Sequence, residues 1–275
     1  MNLTDLVALN NELDKTRSEH RIIFFEGKHE WPPENIMDIA CDGVQFDAMR
    51  EKLVPENDAF INDYITKSKK RFNDYSSSNN LIKAEQECKL SINMLNGLTN
   101  EINWFKEKDV SLLNNAEYKK QWHVQQNLLD IEQNMKAAYM QRFQNGDINY
   151  WTKTINELQT KAKAQTPEGA MYQRLVAFLS LAFYSISNQF ITSNQNNQAR
   201  YFVELYKMDD PANSEAWYFS AILNARINDP KATENDLLKA VENGFTDKIR
   251  MEQQPEFQSL ANQIDFLKIE SRLKK

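Results

Sequence analysis

From residue 56 to the C-terminus the chain is a succession of helical apolar patterns. Each is stopped by a short cluster of Asn, Asp, Gly, Ser or Pro: SSSNN at 76–80, NGD at 145–147, TPEG at 166–169, NQNN at 194–197, DDPANS at 209–214, NDP at 228–230 and ENGFTD at 242–247. These residue types supply turns and helix caps. The pattern predicts helices near 56–75, 79–97, 99–112, 115–145, 147–165, 168–192, 195–207, 214–227, 232–243 and 254–270. With 6 Gly and 7 Pro in 275 residues, turns are too few for a many-stranded β fold.

The first fifty residues read differently. Leu3, Leu6, Val7, Leu9 and Leu13 make a helical stripe over 3–13. HRIIFFE at 20–26, rich in Ile and Phe and stopped by Gly27, predicts a strand over Arg21–Glu26. Pro32-Pro33 then suits a helix start, continued by Ile36, Met37, Ile39, Ala40 and Val44 to about residue 52. The expected fold is therefore mainly α, built of antiparallel helix pairs, with a small helix–strand–helix N-terminal segment. A single strand leaves its backbone groups and edge unpaired. It is expected either to dock Ile22, Ile23, Phe24 and Phe25 on the helical part or to pair with its copy in a homodimer. The expected division is 1–52 and 53–275, with 53–275 folding by itself.

Composition narrows the partners. The chain has net charge −6 and an isoelectric point near 5.3. KSKKR at 67–71 is a local basic stretch, read as a solvated helix face, and no nucleic-acid partner is expected. The longest apolar stretch, LVAFLSLAFYSI at 175–186, falls short of the roughly 18 residues that span a bilayer, so no membrane span is expected. Asp5, Glu12 and Asp14 interrupt any leader-like apolar core. The compartment stays open: cytoplasmic if Met1 is the native start, otherwise exported with a parent protein. Cys41 and Cys88 fall in helix patterns and read as small buried side chains, with neither a CxxC pair nor a disulfide framework. Trp104, Trp122, Trp151 and Tyr150 read as packing residues.

A fixed period appears toward the C-terminus. Phe183 and Ser187 recur thirty-four residues on as Trp217 and Ala221. Ala199, Val203 and Tyr206 recur as Thr233, Leu237 and Ala240, and Pro211 closes the earlier unit. Small residues let two helices approach where large ones interdigitate. The stretch QARYFVELYKMDDPANSEAWYFSAILNA resembles the inter-repeat junction of the tetratricopeptide repeat family, clearest over 180–245. AEQECKLS at 84–91 echoes the second-helix pattern with Ala84, Cys88 and Ser91, and the tail with Phe245, Phe257 and Leu260 resembles a closing segment. The resemblance implies a helical repeat array that holds a protein or peptide.

FFEGKHEWPPENIMDIA resembles the C-terminal end of an α/β-hydrolase of the dienelactone-hydrolase or esterase kind, in which the last strand ends in a G-x-H-x-W-P turn. By that resemblance, which covers residues 1–50 alone, His29 sits at the place of the catalytic histidine. A general-base histidine needs a nucleophile and an orienting acid. The family's nucleophile lies in a G-x-S-x-G turn, and no glycine of this chain has a serine two residues on. Asp5 is the nearest acid and falls inside a helix pattern, as does Cys41, the other conceivable nucleophile. HEWPP carries no second histidine, and His20 and His123 lie at no metal-ligand spacing from His29. No metal or cofactor is expected. The chain looks like the last part of a hydrolase joined to a helical domain, either a piece that begins inside the enzyme or a natural remnant.

The expected function is a noncatalytic interaction or scaffold module, with a protein or peptide partner or an upstream hydrolase domain. The alternative is the C-terminal portion of an active esterase or peptidase whose nucleophile lies upstream.

Overall fold

The structure is a computed structural model that describes residues 3–16, 18–25, 27, 31–145 and 147–273. Among the described residues it is mainly α, with fourteen helices and no strand. The helices are α1 (Leu3–Leu13), α2 (Glu34–Arg50), α3 (Asp58–Ser77), α4 (Leu81–Leu95), α5 (Ile102–Leu113), α6 (Ala116–Asn145), α7 (Ile148–Lys161), α8 (Pro167–Thr192), α9 (Asn196–Asp209), α10 (Ser214–Arg226), α11 (Pro230–Glu242), α12 (Lys248–Gln253), α13 (Pro255–Gln258) and α14 (Phe266–Glu270). The chain divides into two compact units, Met1–Ile131 and Glu132–Lys275, with the division inside α6.

The strand expected over Arg21–Glu26 is absent: residues 18–25 have no regular structure, and Glu26 lies outside the described residues. The physical reason is the one that made a lone strand costly, since among the described residues no second strand takes its backbone groups. Side chains anchor the segment instead. The Arg21 guanidinium donates to both carboxylate oxygens of Asp47, at 2.6 Å for Nη1, and its Nε donates to Asn93. Ile23 packs against the first unit's core.

In that unit α2, α3, α4 and α5 enclose Ile39, Phe46, Met49, Ile61, Tyr64, Phe72, Cys88, Met94 and Phe105. Residues 1–52 thus contribute core side chains, Phe46 being fully buried. Arg50 reaches across to α4, donating to the carbonyls of Asn93 (3.2 Å), Met94 (2.8 Å) and Asn96 (2.9 Å). Those carbonyls lie at and just beyond the end of α4, where a helix leaves acceptors unpaired. The predicted apolar face of α2 is only partly correct: Ile39 is buried, whereas Met37 and Val44 are exposed. Of the α1 stripe, Leu6 and Leu9 are exposed.

The core also holds a polar network. The Glu87 carboxylate accepts from Ser68 Oγ (2.6 Å) and from Arg71 Nε (2.9 Å) and Nη2 (2.8 Å). The predicted basic face at 67–71 is therefore split. Lys67 pairs with Asp63 and Lys69 with Glu101 at the surface, while Ser68 is buried and Arg71 turns inward.

In the second unit the successive pairs α8/α9 and α10/α11 share one hairpin turn. Asn194 and Asn228 take left-handed backbone angles, both with φ 57°. The amides of Gln195 and Asp229 then donate back to the carbonyls of Phe190 (2.9 Å) and Asn224 (3.0 Å). This is the helix-ending motif that satisfies late carbonyls, and asparagine tolerates its left-handed residue. Ala199 and Thr233, five residues on, are fully buried, as are Ser187 and Ala221 on the preceding helices. The thirty-four-residue register thus coincides with two successive helix pairs. The tail contributes Phe245, Phe257 and Leu260 to the same core, with the Phe245 ring stacked on Tyr218 at 4.6 Å. The single helix expected over 254–270 is instead two short ones, α13 and α14, after a further short helix, α12.

By length and composition α8 is long and apolar enough to cross a membrane. In the fold its ladder Met171, Leu175, Leu179, Phe183, Ser187 and Ile191 is buried at helical spacing.

Candidate functional site

His29 lies outside the described residues, as do its neighbours Lys28 and Glu30. Trp31 beside it is 88 % exposed. Asp5 and Cys41 are exposed on α1 and α2, so the expectation of a buried Cys41 is corrected, whereas Cys88 is buried and burial pushes its thiol up to about 12. Cys41 falls on the solvent side because α2 turns Ile39, Gly43, Phe46 and Met49 to the core. Of the aromatic residues, Trp151 is fully buried and Trp104 packs against the first core, but Trp122 is 43 % exposed. Among the described residues no group of three or more His, Cys, Asp or Glu side chains could hold a metal ion.

Two hollows remain. The first, of about 520 Å³ in the first unit, is lined by Glu19, Arg50, Lys89, Asn93, Lys106 and Asp109. Its arginine is engaged with the end of α4 and Lys89 with Glu85, so these two cations serve the fold.

The second, of about 330 Å³, lies in the second unit among the C-terminal half of α6, α7 and the start of α8. Its construction can be followed from the sequence. The Asp147 side chain accepts from the Tyr150 amide (2.8 Å) and starts α7, and Thr166 caps α8, with Pro167 following. α7 buries Trp151, Ile155 and Leu158. That leaves Tyr150, Lys153, Thr154, Glu157 and Lys161 as a second stripe at spacings of three and four, and this stripe forms one wall. Tyr139 from α6 and Tyr172 from α8 are both buried and form the floor with Leu158.

Gly169 sets the angle at which α8 enters. A Cβ there would stand 1.9 Å from the Ala164 carbonyl oxygen, so only glycine fits. The Lys161 ammonium donates to the Tyr172 hydroxyl at 3.1 Å and lies 4.8 Å from that ring's centroid. The same hydrogen bond raises its pKa. Arg142 sits 5.0 Å over the Tyr150 ring. Behind the wall, Trp151 meets the Tyr150 ring edge-on at 5.1 Å and stacks on Phe143, also at 5.1 Å, which fixes the wall from within. Chemically this is an aromatic trough with a cationic rim, suited to binding; Glu157 is the one carboxylate that lines it.

No protein-family model matches the chain, and neither a curated protein nor a solved structure matches it. The site therefore has to be judged on its own chemistry. Sequence reasoning did not find it, because Tyr139 and Tyr172 come from separate helices. The signal within reach was the Tyr150–Lys153–Glu157–Lys161 stripe opposite an apolar one.

Proposed function

We propose that the chain is a noncatalytic interaction module, a tetratricopeptide-like helical array that holds a protein or peptide segment against its helices. The observation that carries this reading is the aromatic and cationic trough on α7, open along a helix and placed beside the helix pairs in which the thirty-four-residue register recurs. Helical repeats bind partners through such extended surfaces. The G-x-H-x-W-P resemblance around His29 adds a natural neighbour, a hydrolase domain preceding the helices in a longer parent.

The test is an unbiased library of ten-residue peptides displayed on phage and panned against the full chain. Sequence-related peptides should be enriched over a urea-unfolded control. Absence of enrichment over that control would remove the reading.

A further inference from the structure

The trough carries an inference about what it binds, which rests on the interaction reading above. From Tyr150 to Lys161 the stripe spans twelve residues of helix, eleven steps or about 16 Å at 1.5 Å per step. An extended peptide covers that length with about five residues at 3.3 Å each. The volume, about 330 Å³, lies at the lower end of the roughly 300–1,000 Å³ of ligand pockets. That is room for a few side chains rather than a folded domain.

The rim decides the charge. Lys153 and Lys161 line it against one carboxylate, Glu157, and the Lys153–Glu157 pair is long at 3.9 Å. Lys161 is held in place by Tyr172, so less side-chain freedom is lost when it takes a ligand. The floor is apolar, from Leu158 and the faces of two buried tyrosines. A nucleic acid would meet a chain of net charge −6, which opposes polyanions outside the trough itself.

We infer that this trough binds an extended acidic peptide, with one carboxylate taken by Lys161, a second by Lys153, and an apolar side chain laid over Leu158 and Tyr139. The experiment uses the full chain and two sets of fluorescein-labelled ten-residue peptides. One set carries a leucine or phenylalanine flanked by two glutamates; the other has the same sequences with glutamine in place of glutamate. Binding is followed by fluorescence anisotropy.

The glutamate set should bind at least tenfold more tightly than the glutamine set and lose that advantage in high salt. Lys161→Glu and, separately, Lys153→Glu should each weaken it about tenfold with the melting temperature unchanged, while Lys67→Glu in the first unit should leave it intact. Equal binding of both sets, no binding of the glutamate set, or indifference to both lysine reversals overturns the inference. In each case a binder from the unbiased library still upholds the interaction reading. Self-association of the chain that Lys161→Glu abolishes would put an acidic segment of a second copy in the trough, and so overturn a separate peptide as its occupant.

Discussion

The α3/α4 hairpin of the first unit and the α8/α9 and α10/α11 hairpins of the second share a turn but fill it in opposite ways. Asn79, like Asn194 and Asn228, is left-handed, at φ 56°, and the Asn80 amide donates to the Tyr75 carbonyl at 2.8 Å. Counted from that asparagine, Ala84, Ala199 and Thr233 coincide, and so do Cys88, Val203 and Leu237; all six are buried. On the preceding helix the sizes reverse. Ser68 stands where the second unit has Phe183 and Trp217, and Phe72 stands where it has Ser187 and Ala221. A close-packed core tolerates such an exchange when volume is conserved locally. Here the large Phe72 is matched by Cys88 on the second helix, where the other unit uses Val203 and Leu237. The buried Ser68 hydroxyl then needs a partner, and Glu87 with Arg71 supplies it. One backbone turn therefore supports a large-then-small order on the first helix in one unit and the reverse order, with a buried Ser68–Glu87–Arg71 network, in the other.

The strongest way to break the comparison is to delete residues 1–52. This removes Phe46, Met49 and Arg50 from the first unit, each buried apolar side chain being worth roughly 1.5–3 kcal/mol. Circular dichroism and hydrogen exchange should find α3–α5 unprotected and α8–α11 still protected. Full protection of α3–α5 would separate the N-terminal segment from that core.

Next is Ala221→Trp, which overpacks the small position of the second unit, where Ala221 is fully buried. The cost should be about 3 kcal/mol or more, read as a lower urea midpoint; an unchanged midpoint would refute the register.

Somewhat smaller is Arg71→Met, which leaves the Glu87 carboxylate buried with hydroxyl partners alone. Removing one partner of a buried ion pair costs roughly 3 kcal/mol, and a further Glu87→Met change should recover part of it.

A further effect depends on pH and concerns Asp209, the last residue of α9. It is 3 % exposed, and neither of its carboxylate oxygens has a partner. Burial, and next the charge of Asp210, raise its pKa to about 8 from 3.8. The folded state therefore holds this proton between about pH 4 and pH 8 while the unfolded state does not. Its contribution to stability is complete below the unfolded value and declines by about 1.4 kcal/mol per pH unit at most until pH passes 8. Asp209→Asn should gain on the parent as pH rises from 5 to 9 in urea titrations, and the two should converge near pH 4. A parallel pH dependence would place the carboxylate in contact with water.

Much of this architecture was legible. Turn residues such as Asn79, Asn194 and Asn228 carry their own backbone preference, so α3 and α8–α11 begin and end within about two residues of the predicted bounds. The helix pairing of 180–245 was legible because the small positions, Ser187 and Ala221, stay small across the period. The first unit was not, because Ser68 and Phe72 exchange sizes and a sequence pattern does not register a trade made across two helices. Arg21–Phe25 misled for a related reason. Strand propensity describes a side chain's fit to a pleated neighbour, and here the neighbour is a helical core entered through Ile23 and Arg21. The trough escaped notice because Tyr139, Tyr150 and Tyr172 converge only in three dimensions.

The claim that this chain binds rather than catalyses is tested most directly by ester hydrolysis. The full chain and its His29→Ala variant are incubated with p-nitrophenyl acetate, because the motif around His29 is the one feature that resembles an enzyme and the G-x-S-x-G turn is missing. The account predicts release of p-nitrophenol at the background rate from both proteins. Turnover above background that disappears in His29→Ala would contradict it.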